Sequence, residues 1–122
     1  MQKHKRLERF WTAKVRFLGE QDGPPERELK AKLVQMLDTG SDVYRAYLVR
    51  VAYGMSPLVS VALALLSESG KSRDLVERID GIFGPMFGGH EKLDVIFLSK
   101  TEAREIATCC EPFFDKSVTR LR

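Results

Sequence analysis

Apolar and polar residues alternate at the start of the chain. In "FWTAKVRFLG", Phe10 to Gly19, the residues Trp11, Ala13, Val15 and Phe17 fall on one side and Thr12, Lys14 and Arg16 on the other. A period of two predicts a half-buried strand. "EQDGPPERE" breaks it with Gly23, Pro24 and Pro25. Proline in a first turn, followed by Glu26 and Glu28, starts a helix, because the acids face the positive end of its dipole. Leu29, Leu33, Met36 and Leu37 make the apolar stripe. Gly40 is placed to end the helix in a left-handed conformation.

"VYRAYLVRVAYG", Val43 to Gly54, predicts a long strand rich in aromatic and β-branched residues. Tyr47, Val49, Val51 and Tyr53 share one face; Tyr44, Ala46, Leu48, Arg50 and Ala52 share the other. "GMSP", Gly54 to Pro57, is a turn. "LVSVALALL", Leu58 to Leu66, is nearly all apolar and predicts a central strand covered on both faces. The two strands read as a hairpin.

A helix is predicted from about Arg73. Leu75, Val76, Ile79, Ile82, Phe83, Met86 and Phe87 recur at helical spacing, Gly81, Gly84 and Pro85 weaken or bend its second half, and "GGH" (Gly88 to His90) stops it. "LDVIFL", Leu93 to Leu98, reads as another buried strand. "SKTE", Ser99 to Glu102, has the spacing of a capping box, and a last helix runs to about Pro112.

The order is strand, helix, strand, strand, helix, strand, helix. This predicts an α+β fold with a four-stranded, mainly antiparallel sheet in ferredoxin-like βαββαβ order, helices packed on one face and an extra C-terminal helix. The same elements also allow other strand orders. The expected division is a basic segment at 1–9, one α+β domain at 10–115 and a basic tail at 116–122.

Charge sharpens this division. Residues 1–16 hold six Lys/Arg and one Glu (+5) and residues 116–122 three Lys/Arg and no acid (+3), so the net +3 leaves −5 on residues 17–115. Basic ends on an acidic body suit solvated termini or termini that fold back; contact with nucleic acid is the less favoured reading. A ferredoxin-like sheet that reads RNA also needs stacking aromatics, and "VSVALALL" has none. No apolar run approaches the roughly 20 residues that span a bilayer, and no signal-peptide core follows the basic start. The expected compartment is the cytoplasm, with no membrane partner.

Chemistry is sparse. Both cysteines lie in "IATCCEPFF", Ile106 to Phe114. On a helix of about 100° per residue Cys110 falls on the apolar stripe with Ile106, Ala107 and Phe113, while Cys109 falls at its border. Core packing is the favoured reading for the pair; Cys109 is the candidate reactive thiol. Two thiols with His4 and His90 at unrelated positions give no metal set, and no cofactor is expected. "LLSESGKS" lies where a phosphate loop would, but Leu65 stands where its first glycine belongs. The favoured reading is a loop with Ser72 as helix cap. His90 beside Glu91 has the makings of a general base, though a helix-end or solvent position is commoner. Asp94, in an apolar strand, and Arg50, in another, are the candidate ligand-binding residues if they meet in a polar pocket; a structural ion pair or exposed edge positions is the plainer reading. No catalytic constellation can be assembled, so a catalyst is not expected.

"AYLVRVAYG", "SVALALL", "LVERIDGIFGPMF", "LDVIFLS" and "IATCCEPFF" resemble the C-terminal domain of the enhanced serine sensitivity protein SseB, over roughly Val15 to Phe114. The resemblance rests on strand patterns and on Ala46-Tyr47-Leu48, Leu93-Asp94 and Pro112-Phe113-Phe114. It implies a small cytoplasmic bacterial α+β domain with no catalytic set to transfer. The expectation is a non-catalytic protein-interaction or regulatory module with a protein partner, itself included, as a homodimer. The alternative is a small-metabolite sensor with a pocket near Arg50 and Asp94.

Overall fold

The computed structural model describes residues 14–89 and 91–116. The predicted strand residues Phe10 to Ala13, His4, His90 and most of both basic ends lie outside them. The described chain is mixed α+β, with five strands in one sheet and three helices: β1 Val15–Glu20, α1 Pro24–Gly40, β2 Val43–Tyr53, β3 Ser60–Ser67, α2 Arg73–Phe87, β4 Asp94–Phe97, α3 Lys100–Ile106 and β5 Phe114–Asp115.

The sheet order is β1-β2-β3-β4, with β5 also against β2. The strand order therefore departs from the ferredoxin-like expectation, and there are five strands rather than four. The reason is the length of β2. β1 covers only its second half, Val49 to Tyr53. At Gln21 the chain is still tied to β2, its N–H donating to the Leu48 carbonyl at 3.0 Å. α1, about 25 Å long at 1.5 Å per residue, then carries the chain along to Val43. β2 returns directly beside β1, antiparallel, with no strand between them. β2 and β3 form the expected hairpin, and β3 and β4 are parallel, joined by α2.

One face of the sheet carries α1 and α2. Leu29, Leu33, Leu37, Leu75, Ile79 and Phe83 pack there on Val43, Ala46, Leu48, Leu63, Leu65 and Phe114. The opposite face carries α3 and the turn after it, with Ile106 and Cys110 on Tyr47, Val49, Val51, Ala62 and Ala64. The helices thus take both faces, not one. The small side chains of Ala62 and Ala64 let this short element sit close to the sheet, and both alanines are fully buried.

Local signals set most boundaries. Ser72 accepts from the Leu75 N–H at 3.2 Å and caps α2, which ends on left-handed Gly88. Ser99 and Glu102 close the capping box on α3. Gly40 departs from expectation. It ends α1 without a positive φ, and its lack of a side chain admits Arg78, whose Nη2 donates to the Gly40 carbonyl at 2.6 Å. α3 stops at Ile106, six residues short of Pro112. β4 is half-exposed throughout, an edge strand rather than the buried strand expected.

Candidate functional site

Arg50 and Asp94 do not meet. Strand alternation puts Arg50 on the Leu48 side of β2, the face of α1 and α2, where its guanidinium lies over Gly19 of β1. Asp94 lies two strands away on the other face, where Tyr53 Oη donates to its carboxylate at 2.7 Å. β3 separates the two strands, and the faces are opposite. One pocket cannot be lined by both side chains.

The thiols are held at neutral sulfur. Cys110 Sγ is buried and lies 3.7 Å from the Leu48 carbonyl and 3.5 Å from that of Glu111. Burial pushes its pKa up to about 11. Cys109, half-buried, lies 3.6 Å from the Phe17 carbonyl, and burial pushes its thiol up as well. A reactive cysteine requires the opposite shift. The two residues sit in the turn after α3, where both N–H groups donate to the Ile106 carbonyl.

Amides at the centre of the "SESGKS" loop are engaged within the chain. The Ser69 N–H donates to Asp42 Oδ2 at 2.9 Å and the Gly70 N–H to Ser67 Oγ at 3.0 Å. A phosphate loop offers such groups to its ligand. Here a carboxylate already holds one of them. Among the described residues no group of three or more His, Cys, Asp or Glu could hold a metal ion, and no helix is long and apolar enough to cross a membrane.

The feature that motif reading missed is the tip of the β2–β3 hairpin. The predicted strand begins two residues late, at Ser60, which leaves Leu58 and Val59 outside the sheet. Met55 is 98% exposed, Leu58 75% and Val59 57%. The tip is nonetheless fixed. Arg16 reaches across from β1, Nε donating to the Gly54 carbonyl at 3.0 Å and Nη2 to that of Ser56 at 2.9 Å. The Gly54 N–H donates to the Lys14 carbonyl at 2.7 Å, and Ser56 Oγ accepts from the Leu58 N–H at 3.2 Å. Two cations of the basic N-terminal stretch thus serve the body: Arg16 holds the hairpin, and Lys14 lies 4.0 Å from Glu105. The sequence signal for the tip was the apolar composition of "GMSPLV", which a turn does not require.

At the far end of β1, Lys30 of α1 bridges Glu20 at 2.8 Å and Asp22 at 3.3 Å. Burial opposes its charge, but the two carboxylate bonds outweigh it and its pKa is raised. Hydrogen bonds from Arg27 and then from Lys30 hold Asp22 below the usual carboxylate range.

No family model matches the chain, and no curated protein or solved structure is significantly similar to it.

Proposed function

We propose that this chain is a non-catalytic protein-interaction module that resembles the SseB C-terminal domain and presents its β2–β3 hairpin tip to a protein partner. The observation that carries the reading is the exposure of Met55, Leu58 and Val59 on a turn held in place by Arg16. Apolar side chains grouped on a fixed turn are what a partner buries at the centre of a contact. The neutral, pKa-raised thiols and the separation of Arg50 from Asp94 weigh against a thiol enzyme and against the metabolite pocket.

The test is affinity purification of the native chain beside the double variant Leu58→Asp, Val59→Asp. Both positions are exposed, so thermal unfolding is expected to be unchanged. The expected result is a saturable protein partner for the native chain and none for the variant. Retention of the same partners by the variant would remove the tip from the contact.

A further inference from the structure

The exposed apolar tip and the first described residue lie at the same end of the sheet. β1 runs antiparallel to the last part of β2, with Phe17 opposite Val51 and Val15 opposite Tyr53. The Gly54 N–H then donates to the Lys14 carbonyl at 2.7 Å. The pairing thus runs without a shift to Lys14, and the residues before it enter beside the turn that carries Met55. Val15 and Phe17 pack on the α3 face of the sheet. In steps of two, the next residues in that phase are Ala13 and Trp11, while Thr12 and Lys14 fall in the other. Ala64 and Ala62 of β3 belong to the same face. Counted back from them in the same steps come Ser60 and Leu58. Trp11 stands three residues before Lys14, a reach of about 10 Å. Two strand spacings, also about 10 Å, separate β1 from β3. Arg16 already makes the crossing from β1 to the tip, where it donates to the Gly54 and Ser56 carbonyls.

We infer that the chain's own residues 10–13 cover the hairpin tip, with the Trp11 indole against Leu58 and Ala13 beside Met55. Place, phase and chemistry select this occupant. The segment joins the described chain at the tip itself. Its apolar phase is the one that Leu58 continues. An indole brings about 200 Å² of ring surface to a tip of aliphatic side chains. The short tether at Lys14 also holds the segment there at an effective concentration on the order of millimolar. The consequence rests on the interaction reading: residues 10–13 act as a strap that a protein partner must displace, and the grip of Trp11 sets how readily the tip is reached. A partner that needs the uncovered tip binds in proportion to the fraction of chains in which the strap is off.

Trp11 is the only tryptophan in the chain, so its fluorescence reads this contact alone. Emission and acrylamide quenching of the full chain, over a range of protein concentrations, are compared with those of free N-acetyltryptophanamide. The native chain is expected to emit to the blue of the free amide and to be quenched more slowly, independently of concentration. Leu58→Asp, at a position 75% exposed, is expected to return both readings toward the free amide with unchanged thermal unfolding. Met55→Asp, at a position 98% exposed, serves as the measurement if Leu58→Asp does not fold. A native emission equal to that of the free amide overturns the inference. So does a blue emission that neither variant moves, which would put Trp11 elsewhere, or one that appears only as concentration rises, which would give the tip to a second copy. Trp11→Ser in the full chain is expected to retain more of any partner captured through Leu58 and Val59, and equal retention would remove the strap as a competitor. A blue emission that Leu58→Asp abolishes, with no partner captured by any variant, would uphold the cover and remove only the interaction reading. An exposed Trp11 beside a captured partner would do the reverse.

Discussion

Cys110 sits 7% exposed with its thiol between two carbonyls, and burial holds it protonated to about pH 11. In the unfolded chain the same thiol ionises near its ordinary 9.0. Between those values the unfolded state has lost a proton that the folded state keeps, so stability falls as pH rises. The slope approaches about 1.4 kcal/mol per pH unit. Below pH 9 the group contributes no pH dependence. Cys110→Val is expected to flatten the stability profile between pH 9 and 11, measured by urea unfolding at each pH. Lys30 acts in the same direction but above 10.5, where its raised pKa lies. The sequence placed Cys110 in the core correctly, but through helical phase, and the residue is not on the helix. The turn after Ile106 folds back and returns it to the same face. Cys109, read at the border of the stripe, is half-buried, and its sulfur lies beside the carbonyl of Phe17, ninety-two residues away, a contact that no local pattern shows.

At the scale of elements, α3 is seven residues long and depends on its cap. Ser99 Oγ accepts from the Glu102 N–H at 3.1 Å and Glu102 Oε1 from the Ser99 N–H at 2.9 Å. Ser99→Ala is expected to cost about 1 kcal/mol. Because α3 holds the turn that shields both thiols, the same variant should label faster with a disulfide reagent at Cys109. An unchanged labelling rate would mean that the turn is held by Ile106 and Cys110 alone. α2 and the β2–β3 hairpin were legible in sequence because their evidence is local: an unbroken stripe ending in Gly88, and a Gly54–Pro57 turn between two apolar runs. β4 was misread as buried for a physical reason. An apolar run reports that a strand is in a sheet, not whether a neighbour lies on each side. β5 left almost no local trace, since two residues, Phe114 and Asp115, cannot display a period. Only pairing with Arg45 and Ala46 makes them a strand.

For the whole molecule, that small strand matters more than its length suggests. Phe114 is buried among α1, α2 and the sheet, and Asp115 lies 3.4 Å from Arg45. Phe114→Ala is expected to cost about 3 kcal/mol, as for other buried aromatics, read as a lower urea midpoint at unchanged slope. A loss below 1 kcal/mol would show that the C-terminal segment rests on the domain without supporting it. The candidate site was the least legible part of the molecule. Arg50 and Asp94 looked like partners because each was a charge in an apolar strand. Whether two such charges meet depends on strand order and face, and neither is encoded within either strand.

The sharing of one β2 edge by β1 and β5 also orders events during synthesis. β1, β2, β3 and β4 can pair in the order in which they emerge, each against a strand already made. The Ala46 carbonyl, however, accepts from the N–H of Phe113 at 2.9 Å, and that donor is made almost seventy residues later. Until Phe113 to Asp115 clear the ribosome, the first half of β2 presents a bare edge at Arg45 and Ala46 while the rest of the sheet is in place. The nascent domain is therefore exposed to misassociation at this edge until Phe113 to Asp115 arrive and complete the sheet.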